Sequence, residues 1–178
     1  NQLNNQDYEI IVVDDDSPDG TWKIVQKLRE KDEKIHLIRR RGKSGLTSAI
    51  SDGLGSAKGN VVVWMDADFS MPPEKIKDLL EKIDDGYDLS VASRYVPGGG
   101  TVIIEKSQDS LLAVLLSFVM NICIQKILDS SFKDYTSGFV AVRRKVLEHI
   151  ELRGDYGEYF IDFIYRAIKK GYKIKEVP

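Results

Sequence analysis

The sequence holds a single cysteine, Cys123, so no disulfide can form within its 178 residues and a disulfide-stapled scaffold is excluded. The lone thiol fits a reducing compartment, and its apolar surroundings predict a packed core position. There are two histidines, His36 and His149, and neither stands in a metal-ligand spacing. No excess of charge of either sign is present: 26 Lys and Arg face 28 Asp and Glu, a net charge of −2, which argues against non-specific nucleic-acid binding. The longest nearly apolar run, Leu111 to Ile124, is too short for a bilayer span, which takes about 20 residues. No secretory leader pattern opens the chain, and neither internal repeats nor low-complexity linkers interrupt it.

What remains is an ordinary globular composition, 42% hydrophobic and 30% charged, on a chain long enough for one domain with a sizeable core. Short β-rich runs alternate with amphipathic segments. Strands are predicted at Tyr8–Val13, Ile35–Ile38, Val61–Trp64, Asp88–Tyr95, Thr136–Val142 and Lys173–Val177. Helices are predicted from about Thr21 to Lys31, from Leu46 to Ala57, from Pro73 through Ile83, over Asp109–Leu128, briefly after Arg143, and over Tyr159–Lys170. This alternation implies an α/β fold with a mostly parallel sheet flanked by helices. The strand pattern starts almost at once and closes the chain, so a single domain over residues 1–178, truncated at both ends, is expected.

Two strands end in acid. Val61–Trp64 runs into Asp66-Ala67-Asp68, whose carboxylates lie on one side of an extended chain and repel unless a cation sits between them. Hard oxygen ligands suit Mg²⁺ or Mn²⁺. Ligands of open α/β sheets bind beyond the carboxyl ends of the strands, where this pair falls. The other reading is a solvated turn capping the helix after Pro72-Pro73. Tyr8–Val13 runs into Asp14-Asp15-Asp16, more acid than the following Ser17-Pro18-Asp19-Gly20 turn requires. Were the two strands neighbours, both acidic ends would share one crevice.

Other features admit two readings each. Arg40 to Gly45 is a basic loop before a helix N-terminus: an anion site with Lys43 near a base or diphosphate, or a solvated loop. Arg94, at the end of its strand, can hold a phosphate bidentately or make a surface ion pair. Helix 109–128 carries one narrow polar stripe, Ser117, Asn121 and Gln125. It reads as a core helix or as one lying in a membrane interface, though only Lys126, with Lys106 before it, supplies the expected basic charge. Asp134 to Phe139 is either a ligand-approach loop or a plain tight turn.

Taken together, the segments Glu9–Thr21, Lys43–Ala49, Gly59–Glu74, Ser93–Gly100, Asp134–Glu148 and Tyr165–Pro178 resemble family 2 glycosyltransferases of the Rossmann-like GT-A fold, most closely the dolichyl-phosphate mannosyltransferase group. The pairing of DDDSPDGT with DADFSMPP at this spacing is the specific part. The resemblance implies that Asp15, with Asp14 beside it, contacts the nucleobase, and that Ser17, Lys43, Asp66 and Ala67 complete the nucleotide-sugar side. It implies a metal held by Asp66, Asp68 and Ser70, an acceptor phosphate held by Arg94, and an acceptor side lined by Ser137 and Gly138. Asp66, Asp68 and Arg94 would be the catalytic set. Asp162 matches an acidic helical position of the family, but Phe160 replaces the usual glutamine. The family's first strand and its basic segment after the Val-Pro are absent from these residues, and helix 109–128 is poorer in Arg and Lys than usual.

The implied activity is metal-dependent, inverting transfer of a sugar, mannose from GDP-mannose above others, to a polyprenyl or dolichyl phosphate. This would take place at the cytoplasmic face of a membrane, with peripheral contact through helix 109–128 and no nucleic-acid partner. The alternatives are another donor such as UDP-glucose, a glycan hydroxyl acceptor with Asp162 or Glu158 as base, or a donor-binding fragment without turnover.

Overall fold

The computed structural model describes residues 7–68, 70–100 and 111–178, and the side chains of all these except 111–115. Phe69, Lys106 and Asp109 therefore lie outside the described residues. Along the chain run β1 (Ile10–Asp14), α1 (Thr21–Arg29), β2 (Ile35–Arg39), α2 (Leu46–Ser56), β3 (Val61–Trp64), α3 (Lys75–Asp84), β4 (Leu89–Ala92), α4 (Leu111–Ile127), β5 (Val140–Arg143), α5 (Arg144–Leu147), α6 (Glu158–Lys169) and β6 (Ile174–Val177). The predicted alternation holds element by element, with ends displaced by a few residues as capping and fraying allow.

The strands form two sheets. β1 and β2 pair in parallel, Ile10 opposite Ile35 through Asp14 opposite Arg39. The second sheet has the order β3-β5-β4-β6. β4 and β6 are parallel, whereas β5 runs antiparallel to both β3 and β4. The parallel character is thus interrupted at β5, for a local reason. The chain arrives beside the carboxyl end of β4, where the Ala92 N–H donates to Phe139 O and the Ser137 hydroxyl bonds Ala92 O. A strand that starts there can only run back. Gly138 makes the turn at φ +71°, a conformation that favours glycine.

The main core lies between the second sheet and α6. Val91, Val140 and Val142 pack with Phe160, Phe163, Ile164 and Ala167, all at most 1% exposed. Leu79 and Ile83 of α3 close the other face against Phe139 and Ala141. Both helices bury the faces their 3.6-residue periodicity predicts. β1 and β3 differ from the buried strands expected from their composition: Val61–Trp64 is only half-buried throughout, and Ile10 is 45% exposed. The two sheets are not hydrogen-bonded to one another through these strands, so each keeps one side partly open.

One expectation is corrected at α4, and its two-way reading is narrowed. Cys123 is exposed, not packed in the core. The polar stripe faces inward: Asn121 is fully buried, its Oδ1 accepting the Tyr135 N–H (3.0 Å) and its Nδ2 donating to Lys133 O, which also accepts from Gln125 Nε2 (2.8 Å). Leu116, Phe118, Val119, Met120 and Ile127 face outward. Two amides tie the helix down because the 133–135 backbone leaves polar groups that need partners when buried. Among the described residues, no helix is long and apolar enough to cross a membrane.

Candidate active site

The acidic loop after β3 contains an uncompensated pair of carboxylates. Asp68 folds its Oδ1 onto the Ser70 N–H (2.9 Å) and hydroxyl (2.6 Å), which holds its carboxyl below the usual carboxylate range. Asp66 is pushed the other way, first by desolvation and then by the Asp68 charge, though its exposed face lets water screen part of this. Neither carboxylate has an ion-pair partner among the described residues, whereas Asp15, Asp16, Asp52, Asp88, Asp134 and Asp162 each have one. The loop leans on a fixed floor. The Asp66 N–H points at Met71 Sδ (3.3 Å), and Trp64 Nε1 donates to the Tyr159 hydroxyl (3.1 Å). That hydroxyl is pushed up to about 12 by burial and by the Asp66 charge, so it stays protonated at neutral pH.

A divalent cation fits this donor set. Two carboxylates and the Ser70 hydroxyl are all hard oxygens, and their like charges want a cation between them. Among the described residues no group of three or more His, Cys, Asp or Glu side chains gathers as a metal cluster.

At the end of β1 the three acids are already engaged. Asp14 Oδ1 accepts the Ser17 N–H (2.8 Å), a local turn that buries Asp14. Asp16, at φ +61°, pairs with Arg39, whose guanidinium stacks 3.4 Å from the Trp22 ring centroid. Asp15 is gripped by Arg40 at both oxygens (2.5 and 2.8 Å) and by the Gly45 N–H (3.2 Å), which holds its carboxyl below the usual range. Arg40 spends its remaining N–H groups on Ser48 Oγ, Asp52 and Gly45 O. The basic loop is thus divided. Arg40 turns inward with a side chain 2% exposed, while Lys43 stays outside, 67% exposed and 3.7 Å from Asp52. Sequence reasoning missed Arg40 as a partner of Asp15.

The third group surrounds Arg94, just after β4. Its backbone N–H and Nε donate to Asp134 Oδ2 (3.0 and 2.9 Å), and Nη2 donates to Asp134 Oδ1 (2.8 Å) and Thr136 Oγ1 (2.6 Å). Asp134 is fully buried. The Pro97–Gly100 loop folds tightly over this turn, where a side chain at Gly99 would run into the Ser93 carbonyl and the Arg94 backbone. Ser137 is held by its bond to Ala92 O. Gly138 lies against Met71 and the Tyr159 hydroxyl, so the Gly138 turn and the Asp66 loop share one floor.

Asp66 and Gly138 meet at Met71 and the Tyr159 hydroxyl, Asp68 and Ser70 lie on the same loop as Asp66, and Arg94 bonds Thr136, two residues before Gly138 along the chain. Among the described residues no hydrogen bond or ion pair joins Asp14–Asp16 to Asp66 or Asp68. The link between them is the start of α6: Tyr156 O accepts from the Thr47 hydroxyl (3.4 Å) and from the Tyr159 N–H (3.3 Å). The two candidate bases are each held through one oxygen. Glu158 accepts the Asp155 and Tyr156 N–H groups, and Asp162 pairs with Arg166. Phe160 is a core residue. A cavity of about 490 Å³, bordered by Tyr95, Lys133, Tyr172, Lys175 and Glu176, lies away from the acidic loops.

Comparison with known proteins gives a consistent picture. The family described as Glycosyl transferase family 2 matches residues 1–151. A dolichol-phosphate mannosyltransferase of Pyrococcus furiosus is 40% identical over 178 residues, covering all of this chain and 49% of that protein. A polyprenol monophosphomannose synthase of Mycolicibacterium smegmatis is 40% identical over 176 residues, covering 95% of this chain and 64% of that protein. The chain thus spans about half to two thirds of the length of these relatives. Among solved structures, a mannosyltransferase of Pyrobaculum calidifontis in complex with GDP-Man and Mn²⁺ superposes with a TM-score of 0.62 at 19% identity, covering 96% of this chain and 45% of that one. A glucosyl-3-phosphoglycerate synthase of Mycobacterium tuberculosis gives 0.66 at 16% identity, covering 95% and 59%. These two likenesses establish the fold.

Proposed function

Because this chain belongs to glycosyl transferase family 2 and has the GT-A fold, we propose that its single domain takes part in metal-dependent transfer of mannose from GDP-mannose to a polyprenyl phosphate, with inversion. The observation that carries this reading is the Asp66–Asp68 couple just after β3, which has no ion-pair partner among the described residues, whereas Asp15 and Asp16 after β1 are each held by an arginine. The names of the two 40%-identical relatives supply the donor sugar and the acceptor class.

Each residue then has a physical task. Asp66, Asp68 and Ser70 would hold Mg²⁺ or Mn²⁺, a group that would supply charge neutralisation for the leaving diphosphate. Asp14, Asp15, Ser17, Lys43 and Ala67 line the nucleotide side, where Asp15 offers a carboxylate that Arg40 has already oriented. Arg94 receives the acceptor phosphate, and Ser137 and Gly138 shape its approach. A phosphate is anionic at neutral pH and needs positioning, not deprotonation. The outward apolar face of α4 suits peripheral contact with the membrane that carries such an acceptor, at its cytoplasmic side.

The test is calorimetric titration of GDP-mannose and UDP-glucose, with and without Mn²⁺, into wild type and Asp68→Asn. The expected result is Mn²⁺-dependent binding of GDP-mannose that weakens at least about tenfold in the variant. Equal binding by wild type and variant, or binding indifferent to Mn²⁺, would overturn the assignment. A preference for UDP-glucose would replace the donor and leave the site standing.

A further inference from the structure

The Arg94 cluster carries more than a single arginine. We propose that Asp134 and Thr136 are positioning residues that fix the Arg94 guanidinium so that its Nη1 edge alone meets the acceptor phosphate; this rests on the acceptor role of Arg94 given above.

A guanidinium has five N–H groups in a rigid fork. Here Nε and Nη2 are committed to Asp134 and Thr136, and the bonds among the described residues leave Nη1 unused. The same carboxylate also binds the Arg94 backbone N–H, so the residue is held at both its main chain and its tip. That double grip closes a ring around the whole side chain and removes its rotamer freedom, which a bare arginine would lose only on binding. Thr136 completes the arrangement. Its hydroxyl accepts from Nη2 and donates to Asp134 Oδ1 (3.2 Å), and its N–H donates to the same oxygen (3.2 Å).

Asp134 itself has nothing left to offer a substrate. Five donors converge on a carboxylate with about four lone-pair sites, inside a fully buried position. It can act neither as a base nor as a metal ligand, so it acts through Arg94. Glu176 supports it from behind by accepting the Lys133 and Asp134 N–H groups (2.8 and 2.9 Å). The buried negative charge also cancels most of the positive field of Arg94. Recognition at the exposed edge, on a side chain 31% accessible, therefore depends on N–H direction more than on net charge. A phosphate oxygen that accepts one Nη1 N–H along its axis fits that edge.

The experiment compares wild type, Thr136→Val, Asp134→Asn, Arg94→Ala and Arg94→Ala/Asp134→Asn. Steady-state transfer is measured with GDP-mannose and a short polyprenyl phosphate, and the Arg94 Nε–H resonance is followed by ¹⁵N NMR while a short prenyl monophosphate is added. Thr136→Val, which keeps shape and removes one acceptor, should raise the acceptor KM about 3- to 10-fold. Asp134→Asn should raise it more than about tenfold, with the donor KM kept within about twofold. In the Arg94→Ala background Asp134→Asn should change the acceptor KM no further. Equal movement of both KM values, or the same Asp134→Asn effect with and without Arg94, would refute positioning. If Asp134→Asn does not fold, Thr136→Val decides alone. The two readings fail separately. Wild type that shifts the Arg94 resonance on phosphate addition, lost in Thr136→Val, without any transfer, keeps positioning and removes the transfer reading. Wild type that transfers, with Thr136→Val unaltered, does the reverse. Neither transfer nor shift removes both.

Discussion

Replacing Arg40 by methionine should cost this fold about 2–3 kcal/mol, worked as follows. The side chain is 2% exposed and makes five hydrogen bonds, to Asp15 twice, Ser48, Asp52 and Gly45 O. Removing one partner of a buried ion pair costs about 3–5 kcal/mol, chiefly because the other charge is left without compensation. Asp15 and Asp52 keep side-chain exposures of 31% and 38%, so both rehydrate in part and the cost falls to the low end or below. In a chain of this length that corresponds to a drop in Tm of about 5–10 °C. The pH dependence has a definite sign. Arg40 lowers the Asp15 pKa in the folded state, so this contribution is complete above the unfolded value, about 3.9, and is lost as pH falls through the lower folded value. Urea titrations at pH 7 and pH 3 measure it: the gap between wild type and Arg40→Met should be widest at pH 7 and narrow at pH 3. A loss below about 1 kcal/mol at pH 7, or a gap that does not narrow, would refute the reasoning.

Two more outcomes are expected. Asp66 has a raised folded pKa, so its ionised form disfavours the apo fold at neutral pH. Asp66→Asn should therefore raise Tm without metal and abolish the rise that Mn²⁺ gives wild type, and thermal scans with and without Mn²⁺ that still show a metal-dependent rise in the variant would count against the pair as a metal site. Asn121→Ala should lose about 1–3 kcal/mol by orphaning the Tyr135 N–H, whereas Met120→Ala, on an outward residue, should stay within about 0.5 kcal/mol; urea titrations giving the opposite ranking would contradict the inverted seating of α4.

How far the sequence could be read depended on the range of the interaction involved. Periodicity is local, so the faces of α3 and α6 and the strand leading into Asp66 were legible. The mutual repulsion of Asp66 and Asp68 was also legible, but that no basic side chain among the described residues answers it was not, since Asp15 and Asp16 are equally crowded and are paired. Direction was not legible where it depends on remote groups. Arg39, Arg40 and Lys43 look alike in sequence, yet one stacks on Trp22, one is buried against Asp15 and one stays in solvent. The grip of Asp134 on Arg94 spans 40 residues of chain and leaves no periodic trace. β5 reads like the other strands because side-chain alternation does not record strand polarity. Cys123 was misplaced because an apolar neighbourhood in sequence was taken for burial, and α4 is seated by its polar side.

That seating redistributes the constraint on the sequence of α4. In most surface helices the apolar stripe is bound to shape, since each side chain must fit its neighbours. Here the shape requirement falls on Asn121 and Gln125, which must reach fixed backbone atoms. Leu116, Val119 and Met120 need only be greasy, while Phe118 also packs on the Tyr95 ring. Hydrophobic exchanges on the outward side of such a helix should therefore cost little stability, while exchanges at the two amides should not be tolerated.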